Sequence, residues 1–246
     1  MKTPVREIFV SVQGEGPYVG YRQVFIRFPK CNLECYYCDT PKDWSSSNKC
    51  MVQVIPGSDE FRMLDNPLTE AQVLEIIEHY NKIHSVSLTG GEPLLYAKFI
   101  KELKPSQYPL YLESNMTLPE GAREVKDVVR YVSGDFKLKS HCDFKGNYEK
   151  FFNDTARSYS ILRKTSFRDC FCKMIITKDD EKDDMLHALD QIKGCISTLI
   201  LQPVTVTGKI SEPVPASKLI EFQELAMDIM EDVRVIPQTH KMWGCL

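Results

Sequence analysis

The chain has 246 residues, of which 43% are hydrophobic and 26% charged, and its formal net charge is −3. This composition suits a soluble globular core of one or two domains and excludes a large basic field for nucleic acid. No run of about 18 apolar residues is present, so no membrane span is expected, and Met1–Glu7 lacks the apolar core of a signal peptide.

Val5–Val12 predicts a strand, because Ile8, Val10 and Val12 recur at period two. Gln13-Gly14-Glu15-Gly16-Pro17 breaks it. Two glycines around one carboxylate suit either close approach to a ligand or a plain turn. Val24–Phe28 predicts a second strand with Arg27 inside its apolar run. That cation is expected either to pair with an acidic residue such as Glu15 or to turn its planar fork into a cavity and bind a carboxylate.

Cys31, Cys35 and Cys38 follow at C-x3-C-x2-C spacing. Thiolates this close on one loop can turn onto one soft metal centre. On a four-iron cluster, three ligands leave one iron open to a small molecule. The alternatives are a zinc site, which commonly takes four ligands in two pairs, or three unrelated core cysteines. Tyr36 and Tyr37 are expected to cover the loop. The nine cysteines are an odd count, which argues against a disulfide framework and for a reducing, cytoplasmic compartment. Cys170 and Cys172 could help to hold a second cluster, or serve as small buried residues.

Residues 41–66 show no clear helical period and are expected to form an irregular insertion. Thr69-Glu70-Ala71-Gln72 is a capping box that starts a helix through Asn81. His84–Leu88 predicts a short strand ending in Thr89-Gly90-Gly91-Glu92-Pro93, with a helix from about Tyr96. Further strands are expected at Tyr108–Glu113, Val128–Val132, Phe171–Thr177, Ser197–Pro203 and Val233–Pro237. Helices are expected over Asp179–Ile192 and Ser217–Met230, and 140–170 forms a second irregular insertion. Polar residues recur just past these strands: Glu113, Asp135, Lys137 and His240. In βα architectures that end carries the chemistry. The alternation predicts an α/β fold with a mostly parallel sheet. Helices are too few for eight βα units, so a partial, open βα-barrel of about six strands is expected, as a single domain over 1–246.

The cysteine triplet, with Tyr37 before its last Cys, and Thr89-Gly90-Gly91-Glu92-Pro93 together resemble the radical S-adenosylmethionine (SAM) superfamily. Phe9–Gly16, Gly20, Phe25-Ile26-Arg27, Cys38-Asp39-Thr40 and Gln238–Lys241 narrow the resemblance to the 7-carboxy-7-deazaguanine synthase family. The resemblance implies a [4Fe–4S] cluster on Cys31, Cys35 and Cys38, with SAM chelating the open iron. One-electron cleavage of SAM would give a 5′-deoxyadenosyl radical that removes a hydrogen from the substrate. The implied substrate is 6-carboxy-5,6,7,8-tetrahydropterin, converted to 7-carboxy-7-deazaguanine by ring contraction with loss of ammonia.

By the same resemblance, SAM is expected at Tyr37, Cys38, Asp39, Gly90 and Gly91, with Glu113, Asp135 and Lys137 around its polar groups. The pterin is expected at Val12, Gln13, Gly14 and Glu15, with Arg27, Thr89, His240 and the Leu246 carboxylate. Thr40 matches the position that holds Mg2+. A flavodoxin or ferredoxin as electron donor and a homodimer are also implied, with no nucleic-acid or membrane partner. Two other functions share these motifs. A glycyl-radical activase would use the cysteines and Gly91, but a peptide substrate has no need of the Arg27 fork. An electron-transfer module would more often close its cluster with a fourth Cys.

Overall fold

The computed structural model describes residues 1–40, 48–104, 106–206, 210–242, 244 and 245. Ten strands form one sheet: β2 (Glu7–Val12), β3 (Arg22–Phe28), β4 (Lys49–Gln53), β5 (Phe61–Asp65), β7 (Ser85–Gly90), β8 (Leu110–Ser114), β9 (Val129–Asp135), β10 (Asp169–Ile176), β11 (Leu199–Pro203) and β12 (Val233–Val235). Their order is β12-β11-β10-β9-β8-β7-β3-β2-β4-β5. From β3 to β12 all neighbours run parallel, while β2 is antiparallel to β3 and β5 antiparallel to β4. The sheet is open, with β12 and β5 at its edges. A short pair, β1 (Lys2–Thr3) and β6 (Leu68–Thr69), stands apart.

Helices α2 (Ala97–Glu102), α3 (Pro119–Val125), α4 (Tyr148–Ile161), α5 (Lys182–Ile192) and α6 (Ala216–Met227) occupy the crossovers between successive parallel strands. Helix α1 (Glu70–Glu78) begins at the expected capping box: Gln72 N–H donates to Thr69 Oγ1 at 3.2 Å, and Thr69 N–H to Gln72 Oε1 at 2.9 Å.

Both stretches expected to be irregular contain regular structure. Residues 49–65 form the β4–β5 hairpin, which adds to β2. Cys50 and Val52 are buried on it, a period-two signal too short to stand out. Within 140–170 lies α4, whose buried face is Phe152, Thr155, Ser158 and Tyr159. Two hydroxyl residues on that face hide the helical period from a hydrophobicity reading.

Alternation along each strand separates two faces. Val86, Leu88, Leu112, Val132, Cys170, Cys172 and Met174 face the helices and form the main apolar core. Cys170 and Cys172 are thus packing residues of that core, which overturns their role in a second cluster. The other face is concave. Near the strand N-termini it is filled by Tyr111, Phe171 and Ile200, with Tyr18 and Tyr131 packed on them. The turn Gly16–Tyr18 drops Tyr18 into this plug, where its hydroxyl donates to Asp169 at 2.7 Å. Towards the strand C-termini the same face turns polar.

Candidate functional site

A cavity of about 760 Å³ opens at the C-terminal ends of the parallel strands. Every site residue expected from the sequence lines it except Leu246, which lies outside the described residues. Arg27, Thr89, Glu113 and Asp135 come from strand ends and Lys173 from within β10, while the cluster loop, the glycine loop and the Gln238–Lys241 segment contribute much of the rest.

The cluster loop is held at both ends. At its start, Asn115 donates to Asn32 Oδ1 at 2.9 Å and reaches Cys31 Sγ at 3.8 Å, while Asn32 donates to Thr117 at 2.8 Å. Further on, Cys38 N–H donates to Cys35 C=O at 3.2 Å and Tyr36 N–H to His141 C=O at 2.9 Å. Tyr37 packs edge-on against His141 and receives a hydrogen bond from Lys137 at 3.1 Å. Tyr36 is 56% exposed, so only one of the two tyrosines expected to cover the loop does so. Burial pushes the Cys31 thiol up to about 11. The Cys142 thiol, donating to Cys35 at 3.0 Å, draws the Cys35 pKa down.

The glycine loop rests directly on this segment. Gly91 N–H donates to Phe28 C=O at 2.8 Å and Glu92 N–H to Lys30 C=O at 2.7 Å. Gly90 has φ +102°, and a Cβ on Gly91 would collide with the Lys30 carbonyl. Only glycine permits both the backbone path and the contact. Glu92 is fully buried and accepts from Leu94 N–H, Ser114 Oγ and Asn115 N–H, each at 2.8 Å. Burial raises its pKa to about 7 even against these donors.

The opposite chemistry gathers around Gln13. Its amide donates to Gln23 at 3.0 Å and Glu113 at 3.1 Å, and its carbonyl accepts from Glu15 N–H at 3.0 Å. Ser87 and Thr89 also donate to Glu113, at 2.6 and 3.3 Å. Glu15 pairs with Lys173 and accepts from Gln238 at 2.8 Å. Burial alone would raise the Glu15 pKa, but Lys173 and Gln238 hold it below the ordinary carboxylate value. Thr239 N–H donates to Gly14 C=O at 2.9 Å, bringing the His240 ring against Gly14. Burial lowers the His240 pKa from its ordinary value. Arg27 pairs with Glu7 at 2.7 Å and stacks over Phe9 at 4.8 Å, so the partner proposed for it, Glu15, is replaced by Glu7. It nevertheless lines the cavity.

The Radical SAM superfamily model matches residues 25–192. A 7-carboxy-7-deazaguanine synthase of Archaeoglobus fulgidus is 41% identical over 99% of both chains, and one of Geobacter sulfurreducens is 35% identical over 98% of this chain and 97% of its own. The chain belongs to the 7-carboxy-7-deazaguanine synthase family of radical SAM enzymes. Its fold matches the crystal structure of QueE from Escherichia coli, with TM-score 0.60 and 20% identity, over 98% of this chain and 95% of that one.

Membership of this family implies a [4Fe–4S] cluster and SAM, and the residues present fit both. Cys31, Cys35 and Cys38 all line one cavity, as three ligands of one cluster must. Among the described residues no three His, Cys, Asp or Glu side chains converge to hold a single ion. A cluster spreads its thiolates over separate irons, so it does not need that convergence, whereas zinc does. Among the described residues, two cavity acceptors, Asp135 Oδ1 and Gln202 Oε1, are buried without a hydrogen-bond partner. Buried polar atoms are normally paired, so an orphan facing a cavity suits a ligand that brings donors.

Several polar cavity residues escaped the sequence reading as site residues, among them Lys173, Gln202, Gln238 and Lys241. Gln202 ends β11 as Thr89 and Asp135 end their strands, and that position was the available signal. Lys173 stood out as a cation in an apolar strand, but only the fold brings it to Glu15.

Proposed function

We propose that the protein converts 6-carboxy-5,6,7,8-tetrahydropterin to 7-carboxy-7-deazaguanine with loss of ammonia. The observation that carries this reading is one cavity joining the three cluster cysteines to the Gln13–Glu15, Arg27 and His240 wall. When bound, the cluster and SAM supply the radical that starts the reaction. The chain's own residues bind, orient and exclude water.

Gly90 and Gly91 present backbone to the methionyl end of SAM. Asp135 Oδ1 offers its free lone pairs to SAM hydroxyl or ammonium groups, with Lys137 fixing the other oxygen at 2.6 Å. Glu15, kept ionised by Lys173, accepts from the N–H groups of the pterin's guanine-like edge. Gln13 is locked by its own hydrogen bonds and so presents a fixed wall. Arg27, which pairs with Glu7 and lies over Phe9, lines the cavity and supplies the cation for the substrate carboxylate. The His240 ring offers the substrate a nitrogen donor or acceptor beside Gly14.

Thr40 supplies one neutral oxygen to Mg2+, with waters and substrate oxygens completing the shell, as this ion prefers. A flavodoxin- or ferredoxin-type reductant and a homodimeric, cytoplasmic enzyme complete the reading. The test is an anaerobic assay of reconstituted protein with SAM, reductant and the carboxypterin. Formation of 7-carboxy-7-deazaguanine with 5′-deoxyadenosine is the expected result. SAM cleavage that leaves the carboxypterin unchanged would sink the assignment.

A further inference from the structure

Behind the cluster loop runs the segment Leu138–Cys142, and it is built to hold one side chain in place. Cys142 pairs with Cys35 in an isolated antiparallel bridge, and the neighbouring His141 carbonyl accepts Tyr36 N–H at 2.9 Å. The His141 ring is fully buried. One nitrogen faces Asp180 at 3.2 Å, and the other lies 3.1 Å from both the Tyr37 hydroxyl and Leu138 N–H. Asp180 is anchored in turn by Ser140 Oγ and by Thr177 N–H at 2.6 Å, just before α5. These contacts hold the backbone at Cys142 against the cluster loop. The Cys142 Sγ–H reaches Cys35 Sγ at 3.0 Å.

Cys142 is buried and is not part of the cavity wall. The three thiols that line the cavity already suffice for a cluster with an open iron. A fourth thiol fixed against one of them, outside the cavity, calls for a different role.

We propose that Cys142 is a positioning residue for the iron–sulfur centre, its thiol donating a hydrogen bond to the Cys35 sulfur and so setting the potential at which the enzyme accepts its electron. This rests on the cluster assignment made under the proposed function. Reduction adds negative charge that spreads onto the ligand sulfurs. A donor aimed at one sulfur stabilises the reduced state more than the oxidised one and raises the potential. Low local dielectric behind the loop strengthens the effect.

The test uses reconstituted full-length protein, with iron content measured first. EPR-monitored redox titration then compares wild type with Cys142→Ala, Cys142→Val and Cys142→Ser. The two donor-free variants are expected to shift to more negative potential, and Cys142→Ser to shift less because its hydroxyl still donates. Reduced wild-type cluster is also expected to show an exchangeable-proton hyperfine coupling that is lost in Cys142→Ala. An unmoved potential in loaded Cys142→Ala, or no such coupling in wild type, overturns the proposal while leaving the cluster in place. If no Cys142 variant, Ser included, loads iron while wild type does, Cys142 is a ligand and the proposal falls. A wild type that takes up no cluster overturns the underlying function as well.

Discussion

The concave face of the sheet behaves as two regions built from the same strands. Along β8, Tyr111 sits in the plug and Glu113, two residues on, lines the cavity. On β10 the same step separates Phe171 from Lys173. The plug is close-packed: Tyr18 lies 4.8 Å from Tyr131 and 5.7 Å from Tyr111, ring to ring. The cavity holds the ion pairs Lys137–Asp135 and Lys173–Glu15, and among the described residues two of its buried acceptors, Asp135 Oδ1 and Gln202 Oε1, have no hydrogen-bond partner. A two-residue step along one face of a strand thus divides a floor that supplies stability from a rim that supplies chemistry. Aromatic burial below lets the charged groups above sit in low dielectric, where their pairing is strong.

If that division holds, rim substitutions cost turnover and floor substitutions cost stability. The largest effect is expected from Cys35→Ala, which should lose the cluster and abolish SAM cleavage, read as 5′-deoxyadenosine, while thermal unfolding stays cooperative. Next is Phe171→Ala, expected to cost about 3–5 kcal/mol in denaturant unfolding, as for other large core truncations. At temperatures where it remains folded, its KM for SAM should match wild type; a changed KM would merge the two regions.

Asp180→Asn tests the layer behind the rim and is expected to cost about 1–3 kcal/mol through its broken buried network. Burial would raise the Asp180 pKa, but hydrogen bonds from His141 and Ser140 hold it below the ordinary 3.8. A depressed carboxylate contributes stability above its unfolded pKa and loses it as pH falls. The gap between wild type and Asp180→Asn should therefore narrow below about pH 4, and a gap independent of pH would show that Asp180 is not held ionised.

Arg27→Lys is expected to raise KM for the carboxypterin about tenfold, since an ammonium cannot make the paired contact. SAM cleavage in the absence of substrate should be unaffected; unchanged KM would move the carboxylate site to Lys173 or Lys241. The smallest effect is expected from Tyr18→Phe, which removes only the 2.7 Å bond to Asp169. It should cost about 1 kcal/mol in unfolding and nothing in turnover.

Much of the rim was legible because its residues follow strands directly and carry side chains an apolar run does not need. Thr89, Glu113, Asp135 and Lys137 all stand out in that way. The floor was less legible, since Tyr111, Tyr131 and Phe171 look like any strand residues until the concave face is known. Partners were legible least. Arg27 pairs with Glu7 because β2 and β3 are antiparallel and put the two residues opposite each other. Helix α4 was missed because Thr155 and Ser158 share its buried face, and the β4–β5 hairpin because only Cys50 and Val52 mark its inner side.

The wall beside Gly14 is closed by residues far along the chain from those they contact. Thr239 bonds Gly14 across 225 positions, Gln238 bonds Glu15 across 223, and Lys241 bonds Asp39 across 202. Contacts so distant in sequence form slowly and last. Until those contacts form, the cavity that the three cluster thiols line lacks its Gln238–Lys241 wall. Once Gln238–Lys241 dock, that side shuts. Apoprotein purified fully folded should accept a preformed cluster more slowly than the same chain refolding in its presence, and equal rates would show that the docked segment does not obstruct delivery.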